Sequence, residues 1–492
     1  MGDTIVALST PPGTSGLAIL RLSGPACRDI ILRHLFQKST EHSPQNTSKD
    51  FPENPFPIPR HVYYGAFRKA GSIIDRMNFV FFEGPKSSTG EDILELYPHG
   101  NMLIVDALLN SLLEHPQIRL AEAGEFTRRS FENGKIDLLQ AEAIGELIHA
   151  QTSDAMQNAQ KILGGALSLP LKSLREDLLD LSARLELDVD FSEEEADPDY
   201  TTWIPKMEKV LETLDSLGQS FEQGRGLGRA RRIAILGAPN AGKSSLINAL
   251  VQEDRLLVSD IPGTTRDYVD VPLRLPGGLV HLVDTAGLGK PVDGLDELAM
   301  QRSRQQKDAA DLCIWVEDGT AVAKDVGKQD GRESFDESNL DVTITFALRL
   351  LTKADLPGFR GMDRRPDRAE DGTESRTLAG EGEEGVENEI AISSFTGQGL
   401  AELRKRLNDL IFVKREDKTA VSLTTERQFR AVMAAKGRVE AGLEEMKLRK
   451  HPAIEIIAFE MREAAGHLKE LLGEISSDEV LVKIFLGFCI GK

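Results

Sequence analysis

The chain has 492 residues, enough for several domains, and its hydrophobic content of 40% is that of a globular protein. Its formal net charge of -20 repels nucleic acid overall, so contact with RNA needs local basic patches or a basic partner. Three scattered cysteines, Cys27, Cys313 and Cys489, argue against a disulfide framework or a zinc cluster; with no run of about 18 apolar residues and no signal-peptide pattern in "MGDTIVALSTPPG", a cytoplasmic location without a membrane is expected.

In chain order, "TIVALST", "GLAILRLSG" and "NFVFFEG" read as strands and "GNMLIVDALLNSLLEH" as a helix, an α+β region over residues 1–130. Residues 131–226 turn helical. Leu171, Leu174, Leu178, Leu181 and Leu185 recur at spacings that put them on one helix face, a core stripe of a bundle. Over 227–413 strands and helices alternate, as in a parallel α/β domain. Polar, Gly- and charge-rich stretches at 318–340 and 358–387 read as surface loops. Residues 414–492 are helical again, with Ser476 and Glu479 spaced as a capping box for a last helix, "SDEVLVKIF". Two helical segments flank the α/β region, so it is expected to be inserted in one helical domain.

The chemistry is carried by "GAPNAGKSS", which begins at Gly237 behind the predicted strand "RRIAILG" and ahead of a helix. This is the phosphate-binding loop G-x-x-x-x-G-K-[ST]. Its backbone wraps phosphates through Asn240, Ala241, Gly242, Ser244 and Ser245, Lys243 brings charge to the β/γ-phosphates, and the Ser244 hydroxyl suits Mg²⁺. The loop alone does not separate ATP from GTP; four further stretches do. Ser259, Asp260, Ile261, Pro262, Gly263, Thr264 and Thr265 run into "GTTRD", where Thr265 would close over Mg²⁺. "HLVDTAG" ends a strand at Asp284, a partner of the Mg²⁺ shell, and continues through Thr285, Ala286 and Gly287 to the γ-phosphate. "LLTKAD" holds Thr352, Lys353, Ala354 and Asp355, whose carboxylate matches the N–H edge of guanine and not that of adenine. "ISSFTG" brings Ser393, Ser394 and Phe395 to the guanine oxygen. Together these predict a GTP-binding domain. Thr352 stands where Asn is usual. Leu288 stands where many small GTPases place a water-orienting Gln, and Asn240 is positioned to hold a monovalent cation where an arginine finger's charge would lie.

Outside these motifs, "DTIVALSTPPGTSGLAILRLSGP", "TGEDILEL", "GEFTRRSFENGKIDLLQAEAI" and the terminal "FCIGK" resemble the tRNA modification GTPase family MnmE (TrmE), over nearly the whole chain. The resemblance implies a multidomain α/β protein: an N-terminal α+β folate-binding and dimerisation domain, a helical domain, and a Ras-like P-loop GTPase domain inserted in it. It implies a K⁺-stimulated GTP hydrolase and homodimer. With a flavoprotein partner (MnmG/GidA, carrying FAD) it forms a heterotetramer that installs an aminomethyl or carboxymethylaminomethyl group at C5 of the wobble uridine of certain tRNAs, from a 5-formyl or 5,10-methylene tetrahydrofolate. By position it implies folate contacts at Arg21, Glu95, Lys135 and Lys492. It implies K⁺ ligands at Asn240, Ser259, Ile261 and Thr264, and Mg²⁺ ligands at Ser244 and Thr265. The catalytic set is Lys243, Asp296 and Cys489; Asp296 aligns with an acidic residue that positions water, the family usually has Glu there, and Glu297 is adjacent. "CIGK" is a poor prenylation signal, so Cys489 reads as an inert packed thiol or as a nucleophile or acid/base group near folate and uridine. The alternative function is a regulatory or ribosome-assembly GTPase switch, which needs neither the first 144 residues nor "FCIGK".

Overall fold

A computed structural model describes residues 2–35, 56–190, 203–237, 240–255, 270–284, 310–320, 347–359, 389–412, 421–448, 452–474, 478–488 and 491. The chain divides into two units: Met1–His149, Met156–Arg225 and Val421–Lys492 form one, Ala150–Ala155 and Gly226–Ala420 the other.

The first unit opens with a six-stranded sheet made of β1 (Thr4–Leu8), β2 (Leu20–Ser23), β3 (Val62–Lys69), β4 (Ser72–Phe82), β5 (Ile93–Tyr97) and β6 (Ile118–Leu120), in the order β3-β4-β5-β2-β1-β6. All pairs are antiparallel except β1 with β6. Period-two patterning builds its core. Leu20 and Leu22, Leu94 and Leu96, and Met77, Phe79 and Phe81 are buried with the short helix α1 (Cys27–Ile30) and with Val105, Leu108 and Leu112 of α2 (Met102–Leu113). Burial drives the Cys27 thiol far above its ordinary range, which leaves it an inert packing group. The predicted strand "NFVFFEG" is the second half of the long strand β4, whose hairpin with β3 the sequence reading missed; "VYYGAFRK" and "SIIDRM" are half-exposed strands without strict alternation.

Next come α3 (Glu125–Glu132), α4 (Leu138–His149), α5 (Ser153–Leu163), α6 (Ser168–Asp190) and α7 (Ile204–Gly224). The leucine stripe is buried as its spacing predicts: Leu171, Leu178 and Leu185 are inaccessible and Leu174 and Leu181 nearly so. Full burial of each such side chain favours folding by about 1.5–3 kcal/mol.

The second unit has its own six-stranded sheet. In chain order it comprises β7 (Arg231–Leu236), α8 (Lys243–Arg255), β8 (Asp270–Leu275), β9 (Gly278–Asp284), β10 (Leu312–Asp318), β11 (Leu348–Thr352), β12 (Glu389–Ala391) and α9 (Leu400–Ile411). The strand order is β12-β11-β10-β7-β9-β8, parallel apart from the β8–β9 hairpin. Gln151 and Ser153 pair with the tip of that hairpin: Leu279 N–H donates to Gln151 O (2.7 Å) and Ser153 N–H to Gly277 O (2.8 Å).

The chain then returns to the first unit with α10 (Glu426–Leu448), α11 (Ile454–Leu472) and α12 (Asp478–Phe485). The leucine stripe of α6 shares one core with α7, α10 and α11, through Met207, Leu214, Val439, Ile457 and Met461. The returning chain is pinned where it arrives. The Asn158 side chain donates to Ser422 O (3.0 Å) and accepts from Ser422 N–H (2.9 Å), and Leu423 N–H donates to Ser220 Oγ (3.1 Å). The last helix spans nearly the expected residues; Ser476, its proposed cap, lies outside the described residues.

Candidate functional site

In the second unit's sheet the chain runs from β7 through α8 to β9 on one side, then crosses to β10 on the other. The strand order reverses at β7, and the carboxyl end of such a strand opens a crevice that loops can line. Gly237 and Asn240–Gly242, the described residues of the phosphate loop, lie there. Gly237 has φ +151, and an added Cβ would stand 2.1 Å from Val316 O, far closer than van der Waals contact, so only glycine lets the backbone pass. Asn240 turns the loop with φ +63 and is exposed. Lys243 is 5% exposed, and its ammonium donates to Gly237 O at 2.7 Å, curled into the loop it would serve. Ser244 and Ser245 are exposed in the first turn of α8, where backbone N–H groups lack helical acceptors.

Two nearby strands, β10 and β11, supply what supports the loop. Asp318, at the end of β10, is in register with Thr352, at the end of β11. Thr352 is 2% exposed, and its hydroxyl lies 2.7 Å from Ala241 O and 3.0 Å from Glu317 O, within donating distance of both. It therefore ties the phosphate loop to the adjacent strands from beneath. Lys353 has φ +63, and its ammonium donates to Asp318 Oδ2 at 2.6 Å. Burial would raise the Asp318 carboxyl, but the Lys353 ammonium and the Thr320 hydroxyl and N–H outweigh it and hold the pKa down to about 2. The sequence reading put Asp318 at the start of a surface loop. It is instead the last residue of a strand, and with Glu317 it is a supporting residue that reading missed; the only signal was the parallel pairing of "LCIWVED" with "LRLLT".

Ser393 links the stretches "LLTKAD" and "ISSFTG". Its hydroxyl donates to Asp355 Oδ1 (2.6 Å) and accepts from Phe395 N–H (3.3 Å) and Thr396 N–H (3.1 Å). Ala354 N–H donates to Ile392 O (3.1 Å). Asp355 and the loop 393–396 are thus one assembly, with the Phe395 ring 91% exposed beside it. Asp284 ends β9, in register with Ile235 of β7, next to the phosphate loop's strand. Ser259, Asp260, Ile261, Pro262, Gly263, Thr264, Thr265, Thr285, Ala286, Gly287, Asp296 and Glu297 lie outside the described residues.

A second polar site lies on the first unit's sheet. Arg21 on β2 and Glu95 on β5 are 74 residues apart in sequence but direct cross-strand partners. Arg21 Nε and Nη2 each reach Glu95 Oε1 at 2.8 Å, and the guanidinium stands 5.9 Å from the Phe126 ring centroid. Lys135 is on the turn after α3, and its ammonium donates to Pro85 O at 2.8 Å, on the loop between β4 and β5 and not to that pair. The C-terminus reaches the same sheet: Ser9, just beyond β1, donates through Oγ to Gly491 O (3.1 Å). Phe485 and Phe488 pack with Ala141 and are flanked by Phe131. Cys489 and Lys492, on either side of that anchored glycine, lie outside the described residues.

Comparison with known proteins places the whole chain in one family. Residues 4–135 match the family described as the GTP-binding protein TrmE N-terminus, and residues 138–489 match the MnmE helical domain family. The latter match spans the inserted α/β unit and covers well over half of the chain. The chain belongs to the MnmE family. It is 34% identical over 497 residues to the tRNA modification GTPase MnmE of Aquifex aeolicus, with 100% of both chains covered. It is 35% identical to that of Nitrosococcus oceani, covering 100% of this chain and 98% of the relative, and 33% identical to that of Proteus mirabilis, covering 100% and 99%. Within this MnmE chain, the architecture expected from sequence holds: an N-terminal α+β region, a helical region, and a P-loop α/β unit between its halves.

Proposed function

We propose that this chain is a GTP hydrolase that acts in tRNA modification, and that its finer activity is installation of an aminomethyl-type group on the wobble uridine. The observation that carries the first part is the closed set of bonds in the second unit. Thr352 under the phosphate loop, Lys353 on Asp318 and Asp355 on Ser393 make the phosphate and base motifs one rigid cradle. Such preorganisation is what phosphoryl transfer asks of a protein, because the transition state needs positioning and charge more than covalent help.

In this reading Lys243 leaves the neutral Gly237 carbonyl for the anionic β/γ-phosphates, so its ammonium gains an acceptor of opposite charge. Ser244 and Thr265 would hold Mg²⁺, which neutralises phosphate charge, with Asp284 behind it. Asn240, exposed on its turn, fits a K⁺ ligand together with Ser259, Ile261 and Thr264, and that cation would supply the charge an arginine finger brings elsewhere. Asp355 reads the guanine N–H edge while Ser393 holds the carboxylate in place. Asp296 positions the attacking water. Thr352 acts through the loop it anchors and not on the base.

The first unit's sheet would bind the tetrahydrofolate donor through Arg21 and Glu95, with Lys135 and Lys492 as further contacts and Cys489 beside them. A folate has an N–H-rich ring and an anionic tail, which suit a carboxylate and cations respectively. The partners are a second copy of the chain, an MnmG-like flavoprotein carrying FAD, and tRNA. The experiment is to incubate the chain with that flavoprotein, unmodified tRNA, GTP, K⁺, methylene-tetrahydrofolate and glycine, then weigh the wobble nucleoside by mass spectrometry. A mass gain at uridine is expected, and it should vanish when GTP is left out. GTP turnover with no gain in mass would move the reading to a regulatory switch.

A further inference from the structure

Sequence motifs pointed to Arg21 and Glu95, but the Glu95 carboxylate has a third neighbour. On β5, Leu94 and Leu96 are buried in the sheet's core, while Glu95 and Tyr97 alternate with them onto the opposite face. Arg21 is the register partner of Glu95 and shares that face. Arg21 occupies Glu95 Oε1, and the Tyr97 hydroxyl donates its only proton to Oε2. That phenol keeps its proton: burial first, then the Glu95 carboxylate, hold its pKa above the ordinary phenol range.

A hydroxyl that has committed its proton retains lone pairs, and donation to a carboxylate makes its oxygen a better acceptor. The face therefore presents two acceptors side by side, the Glu95 carboxylate and the Tyr97 phenol oxygen. A donor-rich edge fits them, meaning an amino group next to a ring N–H. A ligand's carboxylate gains little at this edge, because Glu95 repels it and the Arg21 guanidinium is already paired with Glu95 at 2.8 Å.

We infer that Tyr97 belongs to this binding surface, both fixing the Glu95 carboxylate and accepting an N–H from the bicyclic ring of a reduced pterin. The inference rests on the folate reading of the site. It assigns the ring, not the glutamate tail, to the β5 side of the face.

Calorimetric titration of the full-length protein with 5-formyl-tetrahydrofolate tests it, for wild type, Tyr97→Phe, and Tyr64→Phe, an exposed tyrosine on β3. Tyr97→Phe should bind about tenfold more weakly, the usual effect of losing a hydrogen bond in a charged network, and Tyr64→Phe should match wild type. Two fragments separate recognition from a general loss of structure. Affinity for 6-hydroxymethyl-tetrahydropterin should fall by a similar factor in Tyr97→Phe, and affinity for p-aminobenzoylglutamate should stay unchanged. Equal 5-formyl-tetrahydrofolate affinity in wild type and Tyr97→Phe overturns the role of Tyr97 and leaves the folate site standing. Equal losses for both fragments mean a structural effect and also overturn it. No binding by folded wild type removes the folate reading, and the inference with it.

Discussion

The two sheets build their sites in opposite ways. In the middle unit the strands are mainly parallel, so the chain returns through a helix or loop after each, and polar residues gather at one edge in consecutive turns. Among the described residues, each contribution comes from a short stretch of chain: 237 and 240–245, 281–284, 350–355, 392–397. In the N-terminal sheet the strands are mainly antiparallel, and the polar group forms on a face from residues opposed by register. Arg21 and Glu95 meet only because β2 and β5 pair with that register, and a slip of one residue would separate them. A site on a parallel sheet's edge can thus be read from local spacing, whereas a site on an antiparallel face is set by pairing between distant segments.

Substitutions can break or sharpen this contrast. The largest expected effect is in the loop site. Lys243→Ala should cut GTP turnover by at least about 100-fold, measured as phosphate release, because the transferring phosphoryl group loses its nearest fixed charge. A turnover near wild type would mean that the P-loop lysine is dispensable here. Next, Gly237→Ala forces a Cβ onto Val316 O at a backbone angle that favours glycine. It should destabilise the middle unit by about 2–4 kcal/mol, seen as a lowered melting transition, while the folate affinity proposed for the other sheet should hold.

Thr352→Ala should weaken GTP binding by about tenfold, through loss of the hydroxyl bond under the loop. If instead the preference between GTP and XTP changes, Thr352 contacts the base directly. Asp355→Asn is the positive control for that readout, with a swing from GTP toward XTP expected.

A further effect lies in the helical region. Glu146 on α4 is mostly buried, and its pKa is raised to about 7, by burial first and then by Glu142, against a lowering from the Thr424 hydroxyl. Its folded-state pKa lies above the unfolded one, so the folded form binds the proton more tightly. The stabilisation is complete below about pH 4.5 and is lost as pH rises through about 7. Melting temperature measured from about pH 5 to about pH 8 should therefore fall through this window, and Glu146→Gln should flatten that part of the curve. An unchanged slope would show that Glu146 does not titrate there.

Much of the architecture could be read from particular stretches. The α6 stripe shows its helical spacing in five leucines, and each of them is buried. The phosphate loop carries its strand and helix on either side. The β3–β4 hairpin was harder to see, because its strands are half-exposed and lack clean alternation. Asp318 looked like the start of an acidic loop because nothing local marks a strand's last residue; its pairing with β11 makes it one.

The sequence by itself determined which groups this protein has for handling a nucleotide and their order along the chain, because glycine, lysine, hydroxyl and carboxylate chemistry is a property of residue type and near spacing. Only the tertiary structure decided that Thr352 anchors the phosphate loop from beneath, that Tyr97 joins Arg21 on Glu95, and that Gly491 docks beside β1. Each of these depends on strand register or chain closure over tens to hundreds of residues, which burial of the two sheets and the helical core selects and no local pattern encodes.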